Sequence, residues 1–157
     1  MTQRILPPND AEMKWIQANC ALGTKLIQTF ASSPSEMSPS LSTLDTAFAA
    51  WLAQHDPAQE DPNPIINAFG IVFGQFFVTE LSFVRAVVQD RQGTEMAVHG
   101  SPGDILVFPP NLVAKRYASR QTGFFAPTFA KMKEEIVRVR TKAVSKTPWW
   151  KFGSKRT

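Results

Sequence analysis

The stretch Asn63–Leu81, NPIINAFGIVFGQFFVTEL, is the most apolar in the chain and carries Gly70 and Gly74 at GxxxG spacing. It could cross a membrane, pair with a second copy, or run through a soluble core, and each reading gives a different protein. Fifteen residues lie between Pro64 and Glu80, and Asn67 and Gln75 interrupt them. A spanning helix needs about 20 apolar residues. No basic residue flanks the run as an interfacial anchor, the nearest being Arg85. The run therefore reads as a core helix, apolar nearly all round because strands cover one face and helices the other. In a helix each glycine costs roughly 1 kcal/mol relative to alanine. Two of them one turn apart mark a close backbone approach, expected against the strands that follow.

Downstream of Leu81 the hydrophobic period changes from 3.6 to 2. FVRAVVQD, TEMAVHG and DILVFPP read as three short strands of an antiparallel meander, with turns at Gln92-Gly93 and at Ser101 to Asp104. Asn111 to Tyr117 fits either a short helix or a strand continuation. After Gly123, Phe129, Met132, Ile136 and Val139 recur at helical spacing and give a last helix.

Upstream, Met1 to Pro8 reads as a short extended lead-in. Asn9 or Asp10 caps a helix of roughly 20 residues through Trp15, Ile16, Leu22, Leu26, Ile27 and Phe30. A Ser/Pro-rich loop follows, Ser32 to Ser40. Thr43 or Ser42 caps a second helix that stops near His55. HDPAQEDPNP is a surface loop, after which Asn63 caps the glycine-bearing helix, with Pro64 at its first position. The expected architecture is α+β: N-terminal helices, a central core helix, a three- to four-stranded antiparallel meander and a C-terminal helix. Residues 1–141 form one domain, and 142–157 a basic aromatic tail.

Composition agrees with a globular chain: 157 residues, 43% hydrophobic and 19% charged, with twelve Phe and four Trp against one Tyr. The net charge of +4 is not spread evenly. Arg138, Arg140, Lys142, Lys146, Lys151, Lys155 and Arg156 meet no acidic residue, whereas the chain before them is nearly balanced. Basicity belongs to the end of the chain. Cys20 is the single cysteine, which removes an intramolecular disulfide and any zinc site built on several cysteines. MTQRILPPNDAEMKW lacks an apolar signal core, so a cytoplasmic location is expected.

The run NAFGIVFGQFFVTELSFVRAVVQDRQGTEMAVHG, followed by ILVFPPNLVAKR and a Gly-Phe-Phe helix start, resembles a bacterial family catalogued as domain of unknown function 3806. Gly70 and Gly74, Asp90 with Gly93, Phe108-Pro109 and Lys115-Arg116 carry the resemblance, which covers about residues 63–130. The chain departs from it in lacking the family's usual Trp in the first strand, where Phe83 and Val84 stand. The resemblance implies the helix-then-meander order and no activity. Proteins of this size and type are sometimes found beside secreted toxins as immunity or accessory partners.

Candidate chemistry is sparse. His99 with Glu95 and Asp104 could supply metal ligands or an acid–base pair by number, but turns and solvated strand faces account for both acids. Cys20 sits in QANCALG, which has no nucleophile-elbow character and reads as a small buried hydrophobe. No phosphate-binding glycine loop is present. Neither a catalytic residue, a cofactor nor a metal is expected. The tail PWWKFGSKRT interleaves Trp149, Trp150 and Phe152 with Lys151, Lys155 and Arg156, and Lys115 and Arg116 add a second basic group. Aromatics with cations suit a protein groove, single-stranded nucleic acid or a membrane surface. They equally suit folding back over the protein's own hydrophobic patch. The expectation is a non-catalytic binding protein that uses Trp149, Trp150, Phe152, Lys115 and Arg116 toward a protein partner, such as a secreted effector. An anionic-surface or nucleic-acid binder working through the tail is the alternative.

Overall fold

The computed structural model describes residues 2–31 and 39–146. In chain order these form β1 (Arg4–Leu6), α1 (Asp10–Phe30), α2 (Leu41–Gln54), α3 (Asn63–Leu81), β2 (Val84–Asp90), β3 (Gly93–Gly100), β4 (Ile105–Val107), α4 (Pro109–Ala118) and α5 (Phe125–Ser145). The fold is α+β, with one four-stranded antiparallel sheet in the order β1-β2-β3-β4. The fourth strand is the extended lead-in, whose Ile5 pairs with Val88. The stretch between Asn111 and Tyr117 is helical. Pro109 and Pro110 open α4 because a first turn loses nothing from their missing N–H groups.

Helix starts follow local capping chemistry, with two differences from expectation. Asn9 closes a capping box with Glu12, each side chain accepting the other's backbone N–H at 2.8 and 2.7 Å. On α2 the cap is Ser40 rather than Ser42 or Thr43. Thr43 lies three residues in and accepts the Ser40 N–H at 2.9 Å. On α3, Asn63 is already helical, and Asp61 supplies the oxygen that accepts its N–H at 3.0 Å.

Helix α3 is the centre of the core. Phe69, Phe73 and Phe77 are fully buried, and Phe73 meets Phe77 and Phe125 edge to face at 5.4 and 5.1 Å. Phe48 and Trp51 from α2, Phe124 just before α5, and Phe125 and Phe129 within it complete an aromatic centre. By length and composition α3 would also pass for a membrane span, but 56% of its apolar window is buried inside the fold. Its apolar surface already has partners.

The glycine stripe has a more specific explanation than packing on the meander. A Cβ on Gly70 would lie 2.5 Å from the Cα of Pro110, so the first turn of α4 sits directly on the α3 backbone. A Cβ on Gly74 would lie 2.7 Å from Nη1 of Arg85 and 3.2 Å from Pro109. Only the second approach involves the meander, through the β2 side chain of Arg85.

Helix α5 runs through Ser145, past the expected domain boundary at residue 141. The tail residues Trp149, Trp150 and Phe152 lie outside the described residues.

Candidate functional site

On the side of α3 away from α4, α1 and α3 diverge to leave a cleft of about 380 Å³. That volume falls in the range of small binding pockets. Cys20 and Thr24 line it from α1; Val72, Gln75, Phe76, Thr79 and Glu80 line it from α3; Pro39 closes one end. Positions 72, 75, 76, 79 and 80 share one helical face, so the lining follows from helix period. The same period that buries Phe73 and Phe77 turns Gln75 and Thr79 outward.

The polar groups of the cleft are linked to one another. Arg85 Nη2 donates to the Ile71 carbonyl at 2.9 Å and to Gln75 Oε1 at 3.0 Å. Gln75 Nε2 donates to Thr79 Oγ1 at 3.2 Å. The Thr24 hydroxyl donates to the Cys20 carbonyl at 3.0 Å. Glu80 is exposed and has no ion-pair partner among the described residues. Apolar walls with one free carboxylate at the rim suit an apolar group that has a cation beside it.

Burial pushes the Cys20 thiol above its ordinary value, and the nearby Arg85 cation pulls partly against that. Burial likewise lowers the Arg85 pKa, with Cys20 opposing. The net effect on Cys20 disfavours the thiolate, the form a nucleophile needs.

The two histidines occupy separate sites. His99 Nε2 lies 3.3 Å from Asp104 Oδ1, while Glu95, near the other end of β3, accepts from Asn111 Nδ2 at 3.2 Å. The strand thus separates His99 from Glu95. Among the described residues no three of His, Cys, Asp and Glu converge to hold a metal.

His55 belongs to a cluster that sequence reasoning missed. Its side chain is 0% exposed; Nδ1 faces Glu60 Oε2 at 3.2 Å and Nε2 faces Tyr117 Oη at 2.8 Å. A carboxylate can only accept, so Nδ1 donates to Glu60, and Nε2 faces the phenol hydroxyl. Trp51 lies against the imidazole, with ring centroids 4.7 Å apart and its own Nε1 buried without a hydrogen-bond partner. Tyr117 is 62 residues from His55 in sequence, so no local motif shows the contact. The one available signal was a single Tyr in a chain of twelve Phe.

Lys115 and Arg116 end α4 and do not line the cleft. Arg116 is used internally: it donates to Gln121 Oε1 at 2.6 Å and its guanidinium lies 5.9 Å from the Phe124 ring. Lys115 is exposed. A second guanidinium, Arg140, donates to the Leu81 carbonyl at 2.6 Å and lies 5.0 Å over the Phe83 ring. It meets the negative end of α3, where a cation is favoured.

A central glycine-bearing helix packed by flanking helices and a small antiparallel sheet defines an α+β domain class. Within it, the family profile described as Domain of unknown function (DUF3806) matches residues 45–127, more than half of the 157-residue chain. The chain belongs to this family. The match begins inside α2, upstream of the expected start near residue 63, and ends in the first turn of α5. It takes in α3, the sheet from β2 onward, the His55 cluster and Arg85, and leaves out α1 with Cys20. No curated protein and no solved structure matches the chain.

Proposed function

We propose that the chain is a non-catalytic binding module for a protein partner, in the manner of an immunity or accessory protein for a secreted effector, with the α1–α3 cleft as its receiving surface. The observation that carries this reading is the chemistry of the cleft. Val72, Phe76 and Pro39 offer apolar contact, the Gln75 amide is engaged with Arg85 and Thr79 and the Thr24 hydroxyl with the Cys20 carbonyl, and Glu80 has no ion-pair partner among the described residues. An apolar side chain followed by Lys or Arg on the partner would satisfy both features.

Two further observations support binding over catalysis. The Cys20 thiol is held toward its neutral form, and both nitrogens of His55 are taken up inside the fold. Burying one Leu- or Phe-sized side chain contributes about 1.5–3 kcal/mol, which makes the cleft an anchor within a larger interface. The remainder of that interface would draw on exposed Lys115 and on the tail residues Trp149, Trp150 and Phe152.

Because Cys20 is the single cysteine, a bulky maleimide can fill the cleft selectively. Affinity capture from host extract is run with native protein, maleimide-blocked protein and Glu80→Lys. The expected result is one partner captured by native protein and reduced at least about tenfold by either change, the loss of roughly 1.4 kcal/mol. A partner held equally by all three removes the cleft, and no partner on native protein overturns the reading. An anionic-surface role draws on a different part of the molecule, the outer end of α5.

A further inference from the structure

We infer that the outer end of α5, residues 136–146, is a docking element for an anionic phospholipid surface. The observation is independent of the cleft and stands or falls separately from it. Along the first half of α5, cations and acids are mixed: Lys131 and Lys133 accompany Glu134 and Glu135. Beyond Glu135 no acid remains in the chain, and Arg138, Lys142 and Lys146 face solvent with no ion-pair partner among the described residues.

The inward side of this segment packs on the fold, with Nε and Nη2 of Arg140 buried without a hydrogen-bond partner among the described residues. Ile136 is buried, and Arg140 reaches the Leu81 carbonyl across the Phe83 ring. Val139 reaches Gly103 in the turn between β3 and β4 with one methyl and is otherwise 41% exposed. Val137 and Val144 have no such cover among the described residues. They are 53% and 52% exposed, and seven residues bring them to the same side of the helix. Thr141 lies between them, and its hydroxyl donates to the Val137 carbonyl at 2.8 Å.

A narrow apolar stripe beside a row of cations fits a bilayer interface. The valines enter the headgroup boundary, and Arg138 and Lys142 extend to lipid phosphates while their stems cover apolar surface. Charge alone would serve a nucleic acid equally well. The valine stripe decides for lipid, because a phosphate backbone offers it no apolar counterpart. One short stripe gives reversible attachment, since stable anchoring needs a second signal.

The full chain is tested by co-sedimentation with phosphatidylcholine vesicles, with and without phosphatidylglycerol, and against a single-stranded oligonucleotide at the same ionic strength. Wild type is expected on the anionic vesicles and not on the neutral ones. Arg138→Gln with Lys142→Gln should bind roughly 30-fold more weakly, each surface cation contributing about 1 kcal/mol near an anionic leaflet. Val137→Ser with Val144→Ser should weaken vesicle binding severalfold and leave any oligonucleotide binding unchanged. All four positions are exposed, so thermal midpoints should stay at the wild-type value. Wild type that ignores both vesicles, or two variants that bind as wild type does, overturns the proposal. Oligonucleotide binding that exceeds vesicle binding and ignores the valines overturns it in favour of nucleic acid.

Discussion

Asp45 caps a helix that begins eighty residues after it: its carboxylate accepts the Phe125 N–H at 2.8 Å, and the Ala126 N–H at 3.0 Å. Helix α5 has no local side-chain cap, so the α2 carboxylate takes that place and joins the two ends of the family-matched segment. The charge also meets the positive end of the α5 dipole. Replacing a cap by alanine costs about 0.5–2 kcal/mol, and this one also ties two elements together. Asp45→Ala should fall at the upper end of that range, and Asp45→Asn should recover part of it. Urea denaturation measures this as a lower midpoint with an unchanged slope.

Gly70 and Gly74 should respond differently to alanine although both occupy α3. In an exposed helix either change would gain roughly 1 kcal/mol from propensity. At Gly70 the new methyl meets the Pro110 backbone at 2.5 and 2.8 Å, which can yield only if α4 moves. Overpacking of that kind costs about 1–3 kcal/mol, so Gly70→Ala should destabilise on balance. At Gly74 the nearest atom is the end of the Arg85 side chain, which can give way by loosening its bonds to Ile71 and Gln75 without moving a helix. Gly74→Ala should therefore cost less in thermal unfolding than Gly70→Ala, and equal losses would contradict this account of the stripe.

The glycine stripe also shows where sequence reading stops. GxxxG spacing announces that something approaches α3, and the period change after Leu81 announces the strands. Neither indicates that Pro110, in a segment readable as helix or strand, is the nearest group. Strands β3 and β1 differ for a similar reason. Alternation marks β3, whereas β1 is three residues of lead-in whose strand character comes from pairing with β2. The candidate site was less legible. Cys20 looked like a small buried residue because its cleft needs α3 positions more than fifty residues away. Long-range contacts of polar side chains leave no periodic trace.

Tyr117→Phe should be costly for its size. It removes the hydroxyl facing His55 Nε2 on a side chain with no access to water. A buried polar atom left without its partner costs about 1–3 kcal/mol. Glu60→Gln should matter much less, because Glu60 is 51% exposed and its amide can still accept from Nδ1–H. Chemical denaturation of the two variants separates a buried clasp from a surface ion pair. A larger loss for Glu60→Gln would place the energetic weight at the wrong end of the cluster.

Cys20 offers a direct electrostatic measurement of the cleft. Burial raises its folded-state pKa above the ordinary thiol value of 9.0, and Arg85 partly offsets this. The native thiol should therefore alkylate with iodoacetamide more slowly at pH 8 than the same thiol in urea. Arg85→Gln should slow it further, because the cation that favours thiolate is gone. Linkage fixes the sign for stability. A group with a raised folded pKa contributes stability that is intact below the unfolded value and is lost as pH rises through the folded one. Unfolding free energy should decline above about pH 9, and Cys20→Ser should flatten that decline. Alkylation of native protein faster than in urea would mean the thiol is activated rather than suppressed, and the cleft would then belong to a nucleophile.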